Sequence, residues 1–215
     1  AWLGMPPGAG ATASRDSGSF AELYGRVLAN PKTPWLIGGV AVEGALFYGV
    51  FPYMGELLLA TARPTGSIAA VTGLVLGAFG VGGLLYAASV RAILRALGVR
   101  RMCLIGSAMA AGCYAALAIA PAWWLAALAM FAAGISFYML HNSMQTEATE
   151  LAPSARGSAV ALFACGFFVG QGLGPIVFAA LLHGLGPRAA LFAVGAALVV
   201  LGRVIVARVI DRRPA

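Results

Sequence analysis

Six long apolar runs separated by short breaks constrain the fold of this chain more than any other feature. They cover residues 35–59, 69–90, 102–120, 123–143, 158–182 and 188–208. A helix that crosses a membrane needs about 20 predominantly apolar residues, and each run supplies them. The breaks, among them 91–101, 147–157 and 183–188, are short and contain Pro, Gly or charge. Short connections place consecutive helices antiparallel, so the sequence predicts an all-α membrane protein with six transmembrane helices.

Composition supports lipid rather than water as the main solvent of this chain. Hydrophobic residues make up 61% of it and charged residues only 10%. Because a soluble domain carries about 25% charged residues, this surface cannot be that of a soluble domain. The basic residues lie singly or in small clusters at the ends of apolar runs, which argues against nucleic-acid binding. The three cysteines have no metal-ligand spacing, and we expect neither a metal nor a cofactor.

The distribution of basic residues predicts the orientation of the bundle. Of the 14 Lys and Arg residues, all except Arg63 and Arg188 lie on one side of the predicted helices. Basic residues accumulate on the cytoplasmic side, so both termini are expected there. Residues 1–34 are predicted to be a cytoplasmic linker that includes a short interfacial helix after Ser19. Residues 35–210 form the bundle, and 211–215 form a cytoplasmic tail.

A loose internal repeat divides the six predicted helices into two groups of three. Residues 64–67 and 153–158 each lead into a glycine-rich run, and Leu-Gly-x-Arg recurs at 97–100 and 185–188. A unit of three crossings is odd, so a second copy is inverted in the membrane, as in many secondary transporters. The pattern therefore predicts two inverted three-helix repeats, although so biased a composition can also repeat by chance.

Glu43 lies in the middle of the first apolar run. A carboxylate at this depth costs about 2.5–3.5 kcal/mol on insertion scales. Such a residue is found where it lines a pathway, pairs with another group or takes up a proton. Two readings remain open: a proton-binding pathway residue, or a protonated carboxyl that joins neighbouring helices.

A polar stripe ends the fourth run, and it consists of Tyr138, His141, Asn142 and Gln145. Residues three and four positions apart share one side of a helix. Such a stripe either lines a water-filled vestibule or bonds neighbouring helices.

The fifth run contains glycines at every fourth position, namely Gly166, Gly170 and Gly174, followed by Pro175. This spacing produces a groove without side chains, which lets another helix approach closely. The proline is expected to introduce a kink or hinge.

Four segments, at 140–157, 170–175, 95–101 and in the first apolar run, resemble the C-terminal half of drug and sugar efflux permeases of the major facilitator superfamily. Residues 140–157 are similar to the loop between the tenth and eleventh helices of that family. The family's eleventh helix is similar to the segment Gly170-Gln171-Gly172-Leu173-Gly174-Pro175. The family's cytoplasmic basic loop is similar to the segment Arg95-Ala96-Leu97-Gly98-Val99-Arg100-Arg101. The first run, which contains Tyr48 and Tyr53, is similar to the seventh helix. The acidic residue that precedes the family's basic loop is absent, and Ser89 and Val90 occupy its place.

The resemblance implies a division of labour among the marked residues. A substrate or proton pathway would include Glu43, Tyr48, Tyr53, Tyr138, His141, Asn142, Gln145 and Gln171. Cytoplasmic loops would be controlled by Arg91, Arg95, Gly98, Arg101, Arg156 and Gly157. The chain begins with Ala1 rather than Met, so it is expected to be a piece of a longer protein whose N-terminal six-helix half is its partner.

These observations favour proton-coupled efflux of a small molecule by alternating access, in the inner membrane of a bacterium. One alternative is a stand-alone six-span protein that dimerises into a transporter or channel. A remote alternative is an intramembrane serine protease that uses Ser136. His141 lies on the same predicted helix five positions later and therefore points elsewhere, so we expect no enzymatic activity. The other expected partners are a small-molecule substrate, membrane lipid and protons.

Overall fold

The computed structural model describes residues 19–62 and 66–210, which are helical and contain no strand. Predictions for 1–18, 63–65 and 211–215, including Arg63, most of the linker and the tail, lie outside the described residues. Five helical segments are long and apolar enough to cross a membrane. The helices are α1 (Phe20–Leu28), α2 (Thr33–Tyr48), α3 (Met54–Thr61), α4 (Ile68–Ile119), α5 (Trp123–Glu150), α6 (Arg156–Leu185) and α7 (Pro187–Arg208), and 3₁₀ turns cover Phe51–Tyr53 and Pro153–Ala155.

Helix α1 begins where the sequence predicts a helix. The Ser19 hydroxyl accepts the backbone N–H of Glu22 at 3.3 Å, and the Ser19 N–H donates to the Glu22 carboxylate at 3.0 Å. This reciprocal capping box satisfies two donors that a helix start otherwise leaves free. The helix ends at Leu28, before Pro31. Asn30 then donates to the carbonyl oxygen of Leu151 at 2.8 Å, which attaches this segment to the α5–α6 connection.

The first predicted span is a discontinuous helix. Helix α2 ends at Tyr48, a 3₁₀ turn covers Phe51–Tyr53, and α3 continues to Thr61. The Tyr114 hydroxyl of α4 lies 3.3 Å from the carbonyl oxygen of Phe47 and donates to it. That bond satisfies one of the carbonyls left without a helical partner at the break, as a buried interruption requires.

Helix α4 doubles back on itself at Gly98. Gly98 has φ 67° and ψ 164°, a backbone conformation that is unfavourable for residues with a Cβ. It lies inside an otherwise helical segment of 52 residues. The Tyr86 hydroxyl lies 3.5 Å from the Met102 sulfur. In one straight helix these two residues would be about 24 Å apart, at 1.5 Å per residue. The two segments of α4 therefore lie side by side, and we call the turn between them the apex.

Three predicted connections are shorter in the structure than the sequence suggested. Residues 91–101 are helical except at Gly98, and α5 and α6 extend into the predicted breaks 147–157 and 183–188. Between α6 and α7 only Gly186 remains, with φ 80°. The difference arises because charged residues end an apolar run without ending a helix, whereas a glycine with positive φ does end it.

Glycines allow the backbone of α2 to contact the backbone of α6, and the backbone of α4 to contact that of α5. A Cβ added at Gly170 would fall on the carbonyl oxygen of Ala41, and one at Gly44 on that of Phe167. Between α4 and α5 the same holds for Gly82 and Phe131. Such close approach favours van der Waals packing, which is the main attraction between helices in lipid. The second segment of α4 packs against α7, where Gly202 faces Ser107.

Large apolar side chains cover the outside of the bundle as well as its core. Leu84, Phe168 and Ile176 are each more than half exposed. Many exposed large apolar side chains on a helical bundle indicate a surface that lipid or another protein covers. Together with the five long apolar helices, it is consistent with an integral membrane protein.

Candidate functional site

The centre of the bundle holds a contact between Glu43 of α2 and His141 of α5. Nδ1 of His141 lies 2.7 Å from Oε2 of Glu43. Glu43 is 0% exposed, whereas the His141 side chain keeps 17% of its surface exposed. Oε1 of Glu43 has no hydrogen-bond partner among the described residues. One carboxylate oxygen is thus held by the imidazole while the other remains unsatisfied.

Aromatic rings enclose the imidazole. The Phe137 ring stacks on His141 with centroids 5.2 Å apart, and Phe163 and Phe167 of α6 lie at 5.2 and 5.0 Å. This apolar enclosure lowers the local dielectric, so the contact between Glu43 and His141 is stronger than it would be in water. Tyr48 extends the aromatic group, with its ring 5.5 Å from Phe137.

The polar stripe of α5 divides between two neighbouring helices. His141 faces α2, whereas Asn142 faces α4 and donates to the Tyr86 hydroxyl at 2.9 Å. Tyr138 stacks on Tyr86 with a centroid distance of 5.9 Å and stays 39% exposed. Consecutive residues of a helix point about 100° apart, which explains why His141 and Asn142 contact different helices. Gln145 is exposed one turn further along.

Two other predicted pathway residues lie where the chain next to the α2 break meets α6: Tyr53 in the 3₁₀ turn and Gln171 on α6. The Tyr53 hydroxyl donates to the Pro175 carbonyl at 3.2 Å, and its ring lies 5.5 Å from Phe178. This bond connects the segment beyond the α2 break to the proline of α6. Gln171 is half-buried, and its backbone nitrogen lies next to Gly44. Pro175 lies inside α6, at the level where Gly174 contacts Gly49.

The predicted cytoplasmic-loop residues lie in two places. Arg91, Arg95 and Arg101 are exposed around the apex at Gly98. Arg156 lies at the start of α6, with Gly157 in the same turn, and pairs with Glu150 at 3.6 Å. Both side chains of that pair are largely exposed, and such pairs contribute about 0–1 kcal/mol.

Several residues of the site were not predicted from the sequence. Tyr86 binds Asn142, and Phe163 with Phe167 encloses His141. The four-residue spacing of these two phenylalanines indicates a shared side of α6, but the sequence does not reveal which helix that side meets. Ser136, considered above as a nucleophile, donates its hydroxyl to the carbonyl of Ala133 at 2.8 Å.

The Glu43–His141 pair is suited to binding one proton in two arrangements. In one arrangement the proton resides on the imidazole, and the imidazolium donates from Nδ1 to the carboxylate. In the other the proton resides on the carboxyl group, which donates to Nδ1 of the neutral imidazole. A buried carboxylate is strongly disfavoured without such a partner, so the protonation of one group depends on the other.

No family model and no curated protein matches this sequence.

Proposed function

We propose that this chain is the C-terminal six-helix bundle of a major facilitator superfamily transporter that couples proton movement to efflux of a small molecule. The observation that carries the proposal is the buried contact between Glu43 and His141. Ionisable residues inside a membrane bundle typically mark proton relays or ion pathways. The sequence resemblance to efflux permeases supports the proposed family, and the Glu43–His141 contact supports the proposed proton coupling.

The proposed six crossings follow from the hairpin of α4. A straight helix of 52 residues would be about 78 Å long, more than twice the hydrocarbon thickness of a bilayer. Because Tyr86 meets Met102, each segment of α4 instead crosses once. Arg91, Arg95, Arg100 and Arg101, which lie around the apex, would then be on the cytoplasmic side, together with both termini, as the charge distribution predicts.

The proposed inverted repeat is supported by two equivalent helix contacts. Where α2 meets α6, a glycine of each helix faces a carbonyl of the other, and the same arrangement recurs where α4 meets α5. The two contacts correspond when α2 of the first three-helix unit is matched to α5 of the second unit, and the first segment of α4 is matched to α6. In each of the four matched pairs, a similar number of positions separates the two residues. The pairs are Ala41 and Phe131, Gly44 and Gly134, Phe79 and Phe167, and Gly82 and Gly170.

The local sequence agrees with this correspondence. Gly44 and Gly134 each begin the pattern Gly-x-x-Phe-Tyr, which ends at Tyr48 and Tyr138. A two-fold axis in the membrane plane would exchange the two contacts, as in transporters built from inverted repeats. Glu43 and His141 break the symmetry, because Ala133 and Phe51 occupy the equivalent positions. The Glu43–His141 contact would therefore have no counterpart at the symmetry-related position of the repeat.

The proposed partner half would cover the open side of the bundle. Gly73, Gly77 and Gly80 of α4 have no atom near the position of an added Cβ, so another helix can approach there. Leu173 and Ile176 expose a comparable apolar surface on α6. Rocking of two such bundles around a midplane site gives alternating access.

The experiment is transport by the full-length protein in vesicles with an imposed pH gradient. A panel of labelled organic cations, sugars and amino acids identifies a substrate for the parent protein. We expect Glu43→Gln to abolish accumulation driven by the gradient, since a side-chain amide does not gain or lose a proton near neutral pH. Glu56→Gln is the matched control, because Glu56 is exposed near the other end of the span. If the Glu43 variant transports at the parent rate with the parent pH dependence, Glu43 is not the coupling residue.

A further inference from the structure

An apolar pocket of about 620 Å³ lies between the second segment of α4 and the first half of α5. Its lining residues lie within 109–121 and 125–132. The lining side chains are apolar, apart from the thiol of Cys113. Below, this cavity is called the α4–α5 pocket.

The pocket arises because the first segment of α4 crosses α5 and diverges from the second segment. Near the apex the two segments touch, since Tyr86 meets Met102. The first segment crosses α5 at Gly82. Phe79, about two turns from Tyr86, already packs against α2, with its ring 6.4 Å from that of Phe47. The first segment therefore does not fill the space that remains between the second segment and α5.

Small residues on both helices keep the pocket open. Gly112 and Ala116 line it on α4, and Ala132 lines it on α5. A Cβ added at Gly112 would meet no atom within 4 Å. Two larger lining residues, Ile119 and Leu128, are 64% and 58% exposed. The pocket is therefore accessible from the outside of the bundle.

The pocket opens away from the contact between Glu43 and His141. Leu128 and Phe137 lie nine positions apart on α5, so their side chains point to opposite sides of that helix. Phe137 stacks on His141, whereas Leu128 lines the pocket. The surfaces proposed for the partner half lie on the first segment of α4 and on α6, whereas the second segment and α5 form the pocket. Its occupant therefore comes from the surroundings of the bundle.

The charge of the surrounding sequence decides the chemistry of the occupant. Residues 102–140 contain no Asp, Glu, Lys, Arg or His. Nothing in this stretch can pair with a phosphate or carboxylate group, so the part of the ligand that enters the pocket is uncharged and apolar. An apolar cavity of about 150 Å³ binds benzene, so the α4–α5 pocket has room for about 20 carbon atoms.

The length and depth of the pocket match one leaflet of a bilayer. From Met109 to Ile119 the helix rises about 15 Å, which is half of the roughly 30 Å hydrocarbon core. Trp124 is exposed at the start of α5, directly before the lining residue Leu125. Tryptophan concentrates where the membrane meets water. The end at Ile119 therefore lies near the headgroups, and the end at Met109 lies near the middle of the bilayer.

A helix from a second copy of the chain does not fit the pocket. A 15 Å length of helix about 10 Å wide occupies about 1,200 Å³, roughly twice the volume of the pocket. A single extended hydrocarbon chain has the required width, length and polarity.

We propose that the α4–α5 pocket binds one acyl chain of a membrane phospholipid. The proposal goes beyond the proposed function and does not depend on transport. It requires only that α4 and α5 lie in a membrane. The bound chain fills the space between the second segment of α4 and α5, with the lipid headgroup near Trp124.

The test uses the purified full-length protein in liposomes that contain a phospholipid with a diazirine in the middle of one acyl chain. After illumination, mass spectrometry of peptides locates the adducts. We expect several-fold more adducts within 109–132 than in the exposed parts of α6 and α7. Phosphatidylcholine and phosphatidylglycerol with the same photoactive chain should label this stretch equally, because no charged residue lies there.

Two substitutions fill the pocket from opposite walls, and a third is the matched control. Gly112→Leu on α4 and Ala132→Phe on α5 should each lose most of the adducts within 109–132. Gly172→Leu adds the same leucine to an exposed glycine of α6 with nothing within 4 Å of the added Cβ, and the adducts should stay at the parent level. Each variant must match the parent in helicity and elution volume, and either filling variant suffices if the other does not fold.

Four outcomes would overturn the proposal. An even spread of adducts over all exposed helices would mean general contact with lipid only. Parent-level labelling in the folded filling variants would place the lipid elsewhere. Labelling by phosphatidylglycerol but not by phosphatidylcholine would mean that a headgroup decides binding. Disulfide formation between two copies through a single cysteine at Ala116, with no lipid adduct in the pocket, would assign this surface to a protein contact.

Discussion

Nδ1 of His141 lies 2.7 Å from Oε2 of Glu43, although 98 positions separate the two residues in sequence. The contact joins α2 to α5 in the interior of the bundle, and the second carboxylate oxygen of Glu43 has no hydrogen-bond partner among the described residues. Its energetic role can be tested without knowledge of the substrate.

Replacing His141 with Ala should destabilise the bundle most at alkaline pH. The Glu43 carboxylate would then be buried without a partner, which costs about 3–5 kcal/mol when an ion pair is broken on one side. At acidic pH Glu43 takes up a proton, loses its charge and the cost falls. The measurement is the thermal midpoint in detergent as a function of pH. A double variant, Glu43→Gln with His141→Ala, should recover stability and lose the pH dependence; equal destabilisation of both variants at every pH would contradict this account.

Replacing Gly170 with Ala should separate α2 from α6. The added Cβ would fall on the backbone carbonyl of Ala41, which cannot move away as a side chain can. We expect a loss of about 1–3 kcal/mol, as for other overpacked cores. Gly172→Ala, on the same helix with nothing within 4 Å of the added Cβ, should be neutral or stabilising. Thermal unfolding of the two variants compares them directly, and similar midpoints would count against close contact at Gly170.

The proposed inverted repeat predicts that Gly82 behaves like Gly170. A Cβ at Gly82 would fall on the carbonyl of Phe131, the residue that matches Ala41. Gly82→Ala should therefore reduce stability by a similar amount, about 1–3 kcal/mol. Gly80→Ala is the control, since an added Cβ there meets open space. Thermal midpoints that fall strongly for one glycine and remain unchanged for the other would argue against equivalent contacts.

The positive φ of Gly98 predicts a cost for any side chain at the apex. Gly98→Ala should destabilise the hairpin of α4 by about 1–3 kcal/mol, because φ 67° is strained for residues with a Cβ. Gly77→Ala, in the regular helix with free space around it, is the comparison. Both variants can be assayed by loss of helical signal on heating. A stability gain at both positions would show that the apex does not hold Gly98 in this conformation.

The six proposed crossings predict opposite labelling of one position before and one position after the second α4 segment. In a variant with Cys103, Cys113 and Cys165 replaced by Ser, a single cysteine at Ala96 should react only from the cytoplasmic side. A single cysteine at Ala122, in the turn before α5, should react only from the other side. The measurement is labelling of oriented vesicles by a membrane-impermeant maleimide. Labelling of both positions from one side would exclude a crossing between them.

Much of the helical architecture could be predicted from the sequence because apolar length alone decides where a chain can lie in lipid. The predicted span 123–143 falls within α5, and 188–208 falls within α7. Helix ends were less predictable. The arginines of 91–101 marked a change of polarity, but the backbone reversed only at Gly98, where conformation rather than polarity decides.

The candidate site was only partly predictable, for a reason that the α5 stripe illustrates. Glu43 and His141 were each marked as unusual by polarity inside apolar runs. Their contact depends on how α2 and α5 are rotated about their axes, and residues far apart in sequence set that rotation. Asn142, one position from His141, faces Tyr86 instead.

The sequence by itself determined that this chain is apolar enough to form membrane helices and that Glu43 is an exceptional residue among them. Both conclusions rest on the free energy of transferring side chains into lipid, which is a property of each segment alone. Only the tertiary structure decided that Glu43 meets His141, that Gly170 lies on Ala41 and that α4 folds into a hairpin. These contacts follow from close packing between helices, because the effect of a glycine on one helix depends on which backbone atoms of another helix lie against it.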